Sequence, residues 1–259
     1  PNLKAVPIPV ALALFDAATG EQLVLNSDSL FANAVKDGVY LFDQDQASIV
    51  FSGLSTKPVV SLLRNFSAPV NLEFNYTDEE LAFLIQYETN GFNQWQVTQT
   101  LLERILLEDH QADTYIQAIK NTLPDLVNKD PLLASRLFDV PSESYLGSRI
   151  DQDYEPELVR EKREAVINRL ARELGSFWKE TYLALDPDLQ KEFSLAMGVR
   201  ALKNIMLNML ARQGDESAFD LAYQQYQQTG NMSERLGALR VLVWNDAPQA
   251  EATLRDFYL

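Results

Sequence analysis

Few residues in this chain could do chemistry. Histidine occurs once, at His110, and cysteine not at all. A zinc site of the ordinary nitrogen and sulfur ligand set cannot be assembled from that stock, and an H-E-x-x-H helix is ruled out. His110 stands in Asp109-His110-Gln111, where a helical pattern ends, and there it interacts with the helix dipole or faces water. Two acidic stretches have the outline of a calcium loop. Asp43-x-Asp45 carries Ala47 at the fifth position and Ser48 at the sixth, where the loop needs an oxygen ligand and a glycine. Asp151-x-Asp153-x-Glu155 puts Pro156 at the glycine position and Lys162 at the twelfth. Both read as solvated turns.

Nucleophile arrangements fare no better. No G-x-S-x-G occurs, and a Ser–His pair could only use His110. The ten glycines are scattered, so the glycine-rich phosphate loops are absent. Glu79/Glu80 and Glu161/Glu164 sit at helix starts or on polar faces, where they serve dipole and solubility rather than acid–base work. Arg160, Lys162, Arg163, Arg169 and Arg172 are interleaved with Glu157, Glu161, Glu164 and Glu173. The i,i+4 pairs Arg160–Glu164 and Arg169–Glu173 make this a mixed-charge face. Trp95, Trp178 and Trp244 lie in helical apolar stripes and are expected in the core. The expectation is therefore no catalytic residue and no metal ligand in this chain. Its substrate-binding residues, if any, are not legible.

Composition points the same way. The 259 residues are 46% hydrophobic and 23% charged, enough apolar material for one large or two ordinary domains. A net charge of −15 and a pI near 4.5 argue against a nucleic-acid partner and against an anionic membrane surface. The absence of cysteine fits a reducing cytoplasm, and a monomer is expected there. No apolar run approaches the roughly 18 residues of a membrane span. The chain opens Pro1-Asn2-Leu3, without Met and without a signal-peptide pattern, which raises the expectation of a domain from a longer polypeptide.

The elements that must position any site fall into two blocks. Strands are expected at Val6–Phe15, Gln22–Leu25, Val39–Phe42, Ala47–Phe51, Val59–Leu63 and Val70–Tyr76, the last in clean alternation. Six short strands indicate an incomplete sandwich. The period then changes from 2 to 3.6. Thr77-Asp78-Glu79-Glu80 has the capping-box form, and helices follow to the end. One helix is expected over about 155–183 and another over 187–212, the latter apolar on so many sides that several neighbours must cover it. Further helices are expected at 215–229, 232–245 and 247–258. Short turns between antiparallel helices indicate an irregular helical-repeat array. The fold class is thus β then α: a partial immunoglobulin-like β-sandwich over 1–76, then an ARM/HEAT-like superhelical array over 77–259. Leu254, Phe257 and Tyr258 at the last helix are expected to be left uncovered, as in an array that continues.

One stretch carries a specific resemblance. Asn65-Phe66-Ser67-Ala68-Pro69-Val70-Asn71-Leu72-Glu73-Phe74 leads into Thr77-Asp78-Glu79-Glu80-Leu81, then Phe92-Asn93-Gln94-Trp95 and Gln99. This resembles the junction between β-sandwich and C-terminal helical domain in the bacterial aminopeptidase N family, gluzincin-type zinc aminopeptidases. Ile8-Pro9-Val10 with Leu14-Phe15-Asp16, Arg163-Glu164-Ala165, Arg200-Ala201-Leu202-Lys203-Asn204 and Asn231-Met232-Ser233 follow in family order. Asn90-Gly91 and Gln96 stand where acidic residues are usual. The resemblance implies a zinc enzyme that removes N-terminal amino acids from peptides. Its zinc ligands, catalytic glutamate and G-x-M-E-N motif lie in a preceding domain and have no counterpart here. This segment would act as spacer and as part of the helical wall of the active-site chamber. Its partners would be the catalytic domain of the same polypeptide and, through it, peptide substrates. The alternative is a free-standing sandwich-plus-solenoid adaptor that binds other proteins on a concave surface.

Overall fold

The structure, a computed structural model, describes residues 6–25, 34–150, 154–187 and 192–259. Two compact units emerge: Pro1–Arg104 with Asp113–Asn121, and Ile105–Ala112 with Thr122–Leu259.

The first unit holds an antiparallel sheet of β1 (Ile8–Phe15), β2 (Val35–Lys36), β3 (Val39–Phe42) and β4 (Val59–Leu62), in the order β2-β3-β1-β4. β1 serves two partners in turn. Its first half pairs with β3, Ile8 opposite Phe42 through Ala11 opposite Val39, and its second half with β4, Leu12 opposite Leu62 through Phe15 opposite Val59. Leu12, Ala13, Leu14 and Phe15 are all buried, which is why the strand reads as an unbroken apolar run. Asp16 ends it by accepting from the N–H groups of Ala18 (2.8 Å) and Thr19 (2.9 Å), with Gly20 at φ 78°. Those two bonds, Thr19's first, hold the Asp16 carboxyl below its ordinary value.

Three expected strands are corrected. Gln22–Leu25 contributes only a single bridge, Gln22 to Phe15. Ala47–Phe51 forms no strand; Ile49 and Phe51 instead pack on the Leu12–Val35 cluster. Val70–Tyr76 forms no ladder either. Leu72, Phe74 and Tyr76 line a small cavity together with Ser61 and Leu62 of β4, Leu81 and Val97, but Leu72 and Phe74 stay exposed and no backbone pairing forms. The strand that sequence reading missed, β2, is joined to β3 by Asp37-Gly38, both at positive φ (51° and 76°), the two-residue turn that Asp-Gly favours.

After β4 the backbone is strained. Leu63, Asn65 and Phe66 all take left-handed conformations, φ 52–56°, each at a cost of order 1–3 kcal/mol for a non-glycine residue. A polar clasp holds them. Arg64 Nη2 donates to Glu88 Oε1 and to Thr89 Oγ1, both at 2.7 Å, and Asn90 Nδ2 donates to Asn65 Oδ1. Asn93 Nδ2 reaches the Leu62 carbonyl at 2.8 Å. Helix α1 (Asp78–Tyr87) starts with the expected capping box: the Glu80 N–H donates to Thr77 Oγ1 (3.2 Å) and the Thr77 N–H to Glu80 Oε2 (3.1 Å). Phe83 of α1 sets its ring edge-on to Phe15 of β1 at 6.4 Å, joining helix to sheet.

Helices α2 (Gly91–Leu107) and α3 (Asp113–Lys129) follow. The second unit then adds α4 (Pro131–Arg136), α5 (Glu143–Arg149), α6 (Pro156–Leu174), α7 (Phe177–Ala184), α8 (Phe193–Arg212), α9 (Ser217–Gln228), α10 (Met232–Trp244) and α11 (Ala250–Tyr258). The helix expected over 155–183 is two. Gly175 (φ 51°, ψ −125°) breaks it, and the carbonyls so released are recaptured. Trp178 Nε1 donates to the Ala171 carbonyl at 3.0 Å, and Gln213 Nε2 donates to those of Ala171 (2.5 Å) and Gly175 (3.0 Å).

α8 is the centre of this unit. It touches α4, α6, α7, α9 and α10, and Val199, Leu202, Met206, Leu207, Met209 and Leu210 are buried along it. Coverage on several sides is what so apolar a helix requires, although Phe193 and Met197 at its start stay exposed. The approach to α4 is close because Gly198 has no side chain: a Cβ there would lie 2.6 Å from the Leu132 amide nitrogen. Gly198→Ala should therefore destabilise the protein by about 1–3 kcal/mol, since backbone cannot give way. Gly230→Ala, with nothing within 4 Å of the added methyl, should be neutral or slightly stabilising. Urea unfolding of the two variants checks this; equal midpoints would contradict the packing.

Candidate functional site

The residues singled out for chemistry are not gathered. His110 lies beyond α2 with Nε2 3.5 Å from Glu108, and its neighbour Asp109 accepts from Lys162 Nζ at 2.6 Å. Asp43 and Asp45 are exposed in bends, while Asp151 and Asp153 lie outside the described residues. Glu155 is the N-cap of α6, with Pro156 in its first turn. Among the described residues no group of three or more His, Cys, Asp or Glu side chains is placed to hold a metal ion. Glu79 and Glu80 occupy the first turn of α1.

Two expectations about α6 and α10 are corrected. Arg160 pairs with Glu157, one turn back, and not with Glu164. Glu164 is taken by Arg212 of α8, whose Nη1 donates at 2.5 Å, while the same guanidinium binds Asn168 (3.0 Å) and Asn208 (2.8 Å). The Arg169–Glu173 pair is present at 2.7 Å. Trp178 is fully buried and Trp95 half-buried, but Trp244 is 69% exposed. The reason is that α10 is apolar on most sides, so periodicity does not reveal which face is covered.

Ser233, Gly237, Arg240 and Trp244 share one face of α10 and open onto a groove of about 650 Å³. Its other walls are Phe138, Asp139 and Val140 after α4, Arg163 and Ile167 of α6, and Asn204, Ile205, Asn208 and Arg212 of α8. Gly237 lets α10 approach Asn204 closely. Asn204 is fully engaged: Nδ2 donates to the Ser233 carbonyl (3.1 Å) and Oδ1 accepts from Gln225 (2.9 Å). Gln225 also accepts from the Tyr182 hydroxyl (3.1 Å), and burial together with the charge of Glu234 pushes that phenol up to about 12. It stays a donor at every physiological pH. Arg163 is clamped by the Pro141 carbonyl (2.6 Å) and Glu143 (3.2 Å). Asn208 Nδ2 and the Arg240 guanidinium, by contrast, are donors without a protein acceptor among the described residues. Donors of this kind are chemically suited to an anion or a peptide carboxylate.

Residues 1–75 match the family described as "Domain of unknown function (DUF3458) Ig-like fold", and residues 78–259 match "Domain of unknown function (DUF3458_C) ARM repeats". The class is therefore an immunoglobulin-like module followed by an ARM-type helical array. The chain belongs to this DUF3458 family, and its similarity is to the C-terminal region of bacterial aminopeptidase N, as the motifs implied. It is 28% identical to aminopeptidase N of Escherichia coli over 96% of this chain, and 24% identical to that of Haemophilus influenzae over 97%. The aminopeptidase N of Caulobacter vibrioides is 28% identical over 85%. The crystal structure of Legionella pneumophila aminopeptidase A in complex with aspartic acid superposes with a TM-score of 0.77 at 25% identity, covering all of this chain. The chain spans 29%, 28%, 26% and 30% of those four proteins' lengths.

Sequence reading missed the groove because its signal is a set of residues four and three apart on α10, which only the neighbouring helices turn into a site. The Glu164–Arg212 pair that walls it yields a pH prediction. Arg212 first of all, against some cost of burial, holds the Glu164 carboxyl below its ordinary 4.5. A depressed carboxylate contributes stability above its unfolded value and loses it as pH falls through the folded one. Glu164→Gln should therefore cost under about 1 kcal/mol at neutral pH, the pair being part-exposed. The difference from the parent chain should shrink to nothing well below pH 4.5. Urea unfolding at both pH values measures it; a difference that grows in acid would contradict the assignment.

Proposed function

We propose that this chain is the non-catalytic C-terminal segment of a zinc metalloaminopeptidase that removes N-terminal amino acids from peptides. It would serve as a spacer, over 1–76, and as part of the helical wall of the active-site chamber, over 77–259. The observation that carries the reading is the joint match: sandwich and helical array, in that order within one chain, both lead to aminopeptidases. The chemistry of the side chains supports a wall rather than a reactive centre. The residues present do not fit a zinc ion, since the lone histidine sits beside Glu108 with no cluster of acidic or imidazole ligands around it among the described residues. Zinc and its ligands belong, on this reading, to a preceding catalytic domain of the same polypeptide, the chain's proposed partner.

The same reading places the protein in the cytoplasm as a monomer, acting on peptides and not on nucleic acid or membrane. The net charge of −15 supports the exclusion of nucleic acid, and no helix among the described residues is long and apolar enough to cross a membrane. The adaptor alternative has in its favour the groove on α6, α8 and α10, but a groove serves a chamber wall equally well.

The full-length protein should hydrolyse aminoacyl-anilides, lose that activity on chelation and regain it with zinc. His110→Ala should leave the rate and the zinc content unchanged. Absence of zinc-dependent hydrolysis would overturn the enzyme reading, and loss of zinc with His110 would overturn the claim that this segment supplies no ligand.

A further inference from the structure

The groove between α6, α8 and α10 has a floor and a rim of different chemistry. Ile205 and Leu236 on the floor are only half-buried, so apolar surface remains open to a ligand. On the rim, donors outnumber acceptors: Asp139, the one carboxylate lining the groove among the described residues, is paired with Arg136 at 2.9 Å. Arg240 is exposed, with the Trp244 ring 6.0 Å from its guanidinium carbon and no carboxylate partner among the described residues. Asn208 spends its carbonyl on Arg212 at 2.8 Å, which leaves its NH₂ group to donate. The two other arginines of the groove are already neutralised, Arg212 by Glu164 and Arg163 by Glu143. In a chain of net charge −15, an unpaired guanidinium beside an exposed indole is a place where an added carboxylate gains rather than loses. A guanidinium fork takes a carboxylate through two parallel bonds. Ile205, Leu236, Asn208 and Arg240 line one groove, a combination that suits an apolar residue carrying its own backbone carboxylate better than an acidic side chain.

We propose that this groove binds the C-terminal end of a peptide: the terminal carboxylate on Arg240 and the Asn208 amide, the last apolar side chain on Ile205 and Leu236, and Trp244 flanking the chain. Its volume of about 650 Å³ lies inside the roughly 300–1,000 Å³ typical of ligand sites. The proposal deepens the aminopeptidase reading and rests on it for its biological meaning. The segment would then grip the far end of a substrate whose other end is being trimmed, and would favour peptides with an apolar C-terminus.

The test uses the full-length protein and a nonapeptide ending in Leu, with a fluorophore blocking its N-terminus so that it is no substrate. Binding is read by anisotropy for the free acid and for the C-terminal amide. The free acid should bind about tenfold more tightly than the amide, the worth of one exposed charge-assisted bond. Arg240→Ala should bring the acid down to the amide's affinity, and Arg240→Lys should restore part of the difference. Arg255→Ala, a charge removed from α11 outside the groove, should leave both affinities unchanged. Equal binding of acid and amide, or a difference that survives Arg240→Ala in a variant of unchanged melting temperature, overturns the proposal. So does tight, Arg240-dependent binding of an amidated peptide bearing an internal Asp, which would assign the groove to acidic side chains. Failure of the enzyme reading shows separately: unblocked peptide left untrimmed while the blocked acid still binds through Arg240.

Discussion

The helical unit depends on one constraint, that α8 must be covered on several sides. Its buried side chains point to several sides, and the stripe left part-exposed is Arg200, Asn204, Asn208 and Arg212. Full burial of each large apolar side chain is worth about 1.5–3 kcal/mol, and that drive recruits α4, α6, α7, α9 and α10 around it. Where two neighbours meet over α8 their polar residues are forced together. This produces the Glu164–Arg212 tie on one side and the Tyr182–Gln225–Asn204 chain on the other. The groove is the remaining strip of α8 that α6 and α10 flank without closing. Positions such as Gly198 and Gly237 set how near the covering helices come.

Much of this was legible in the sequence, and what was missed has physical causes. The capping box at Thr77–Glu80 and the need to surround α8 rest on local or periodic signals, which the sequence carries directly. The break at Gly175 was missed because the apolar period continues through it. Only the rescue of the Ala171 and Gly175 carbonyls by Trp178 and Gln213 makes a break there affordable, and Gln213 lies far along the chain. Val70–Tyr76 misled because alternation sorts side chains onto two faces without specifying a backbone partner: Val70, Leu72 and Phe74 remain exposed and no ladder forms. The β2–β3 turn was a readable signal overlooked: Asp37-Gly38 is the pattern that two-residue hairpins favour.

The site was less legible than the fold. His110, Asp109 and Glu164 stand in pairs with Glu108, Lys162 and Arg212. A binding groove built from Asn, Arg and Trp leaves no motif, because its members come from three helices and each residue type is common on surfaces. Only three-dimensional accounting of which donors are spent and which are not separates Arg240 and Asn208 from Arg163 and Arg212. The strained clasp at Leu63–Phe66 falls in the stretch that most resembles the aminopeptidase junction.

The account's central claim is that the chemistry of the full-length protein lies outside these 259 residues while its helical array shapes access to it. A crystal structure of the full-length protein with anomalous data across the zinc edge tests this most directly. The account predicts one zinc peak whose ligands all lie outside this segment, with the array bordering the cavity that contains the metal. A zinc ligand supplied by His110 or by any carboxylate of this chain, or a zinc site that this array does not border, would contradict it.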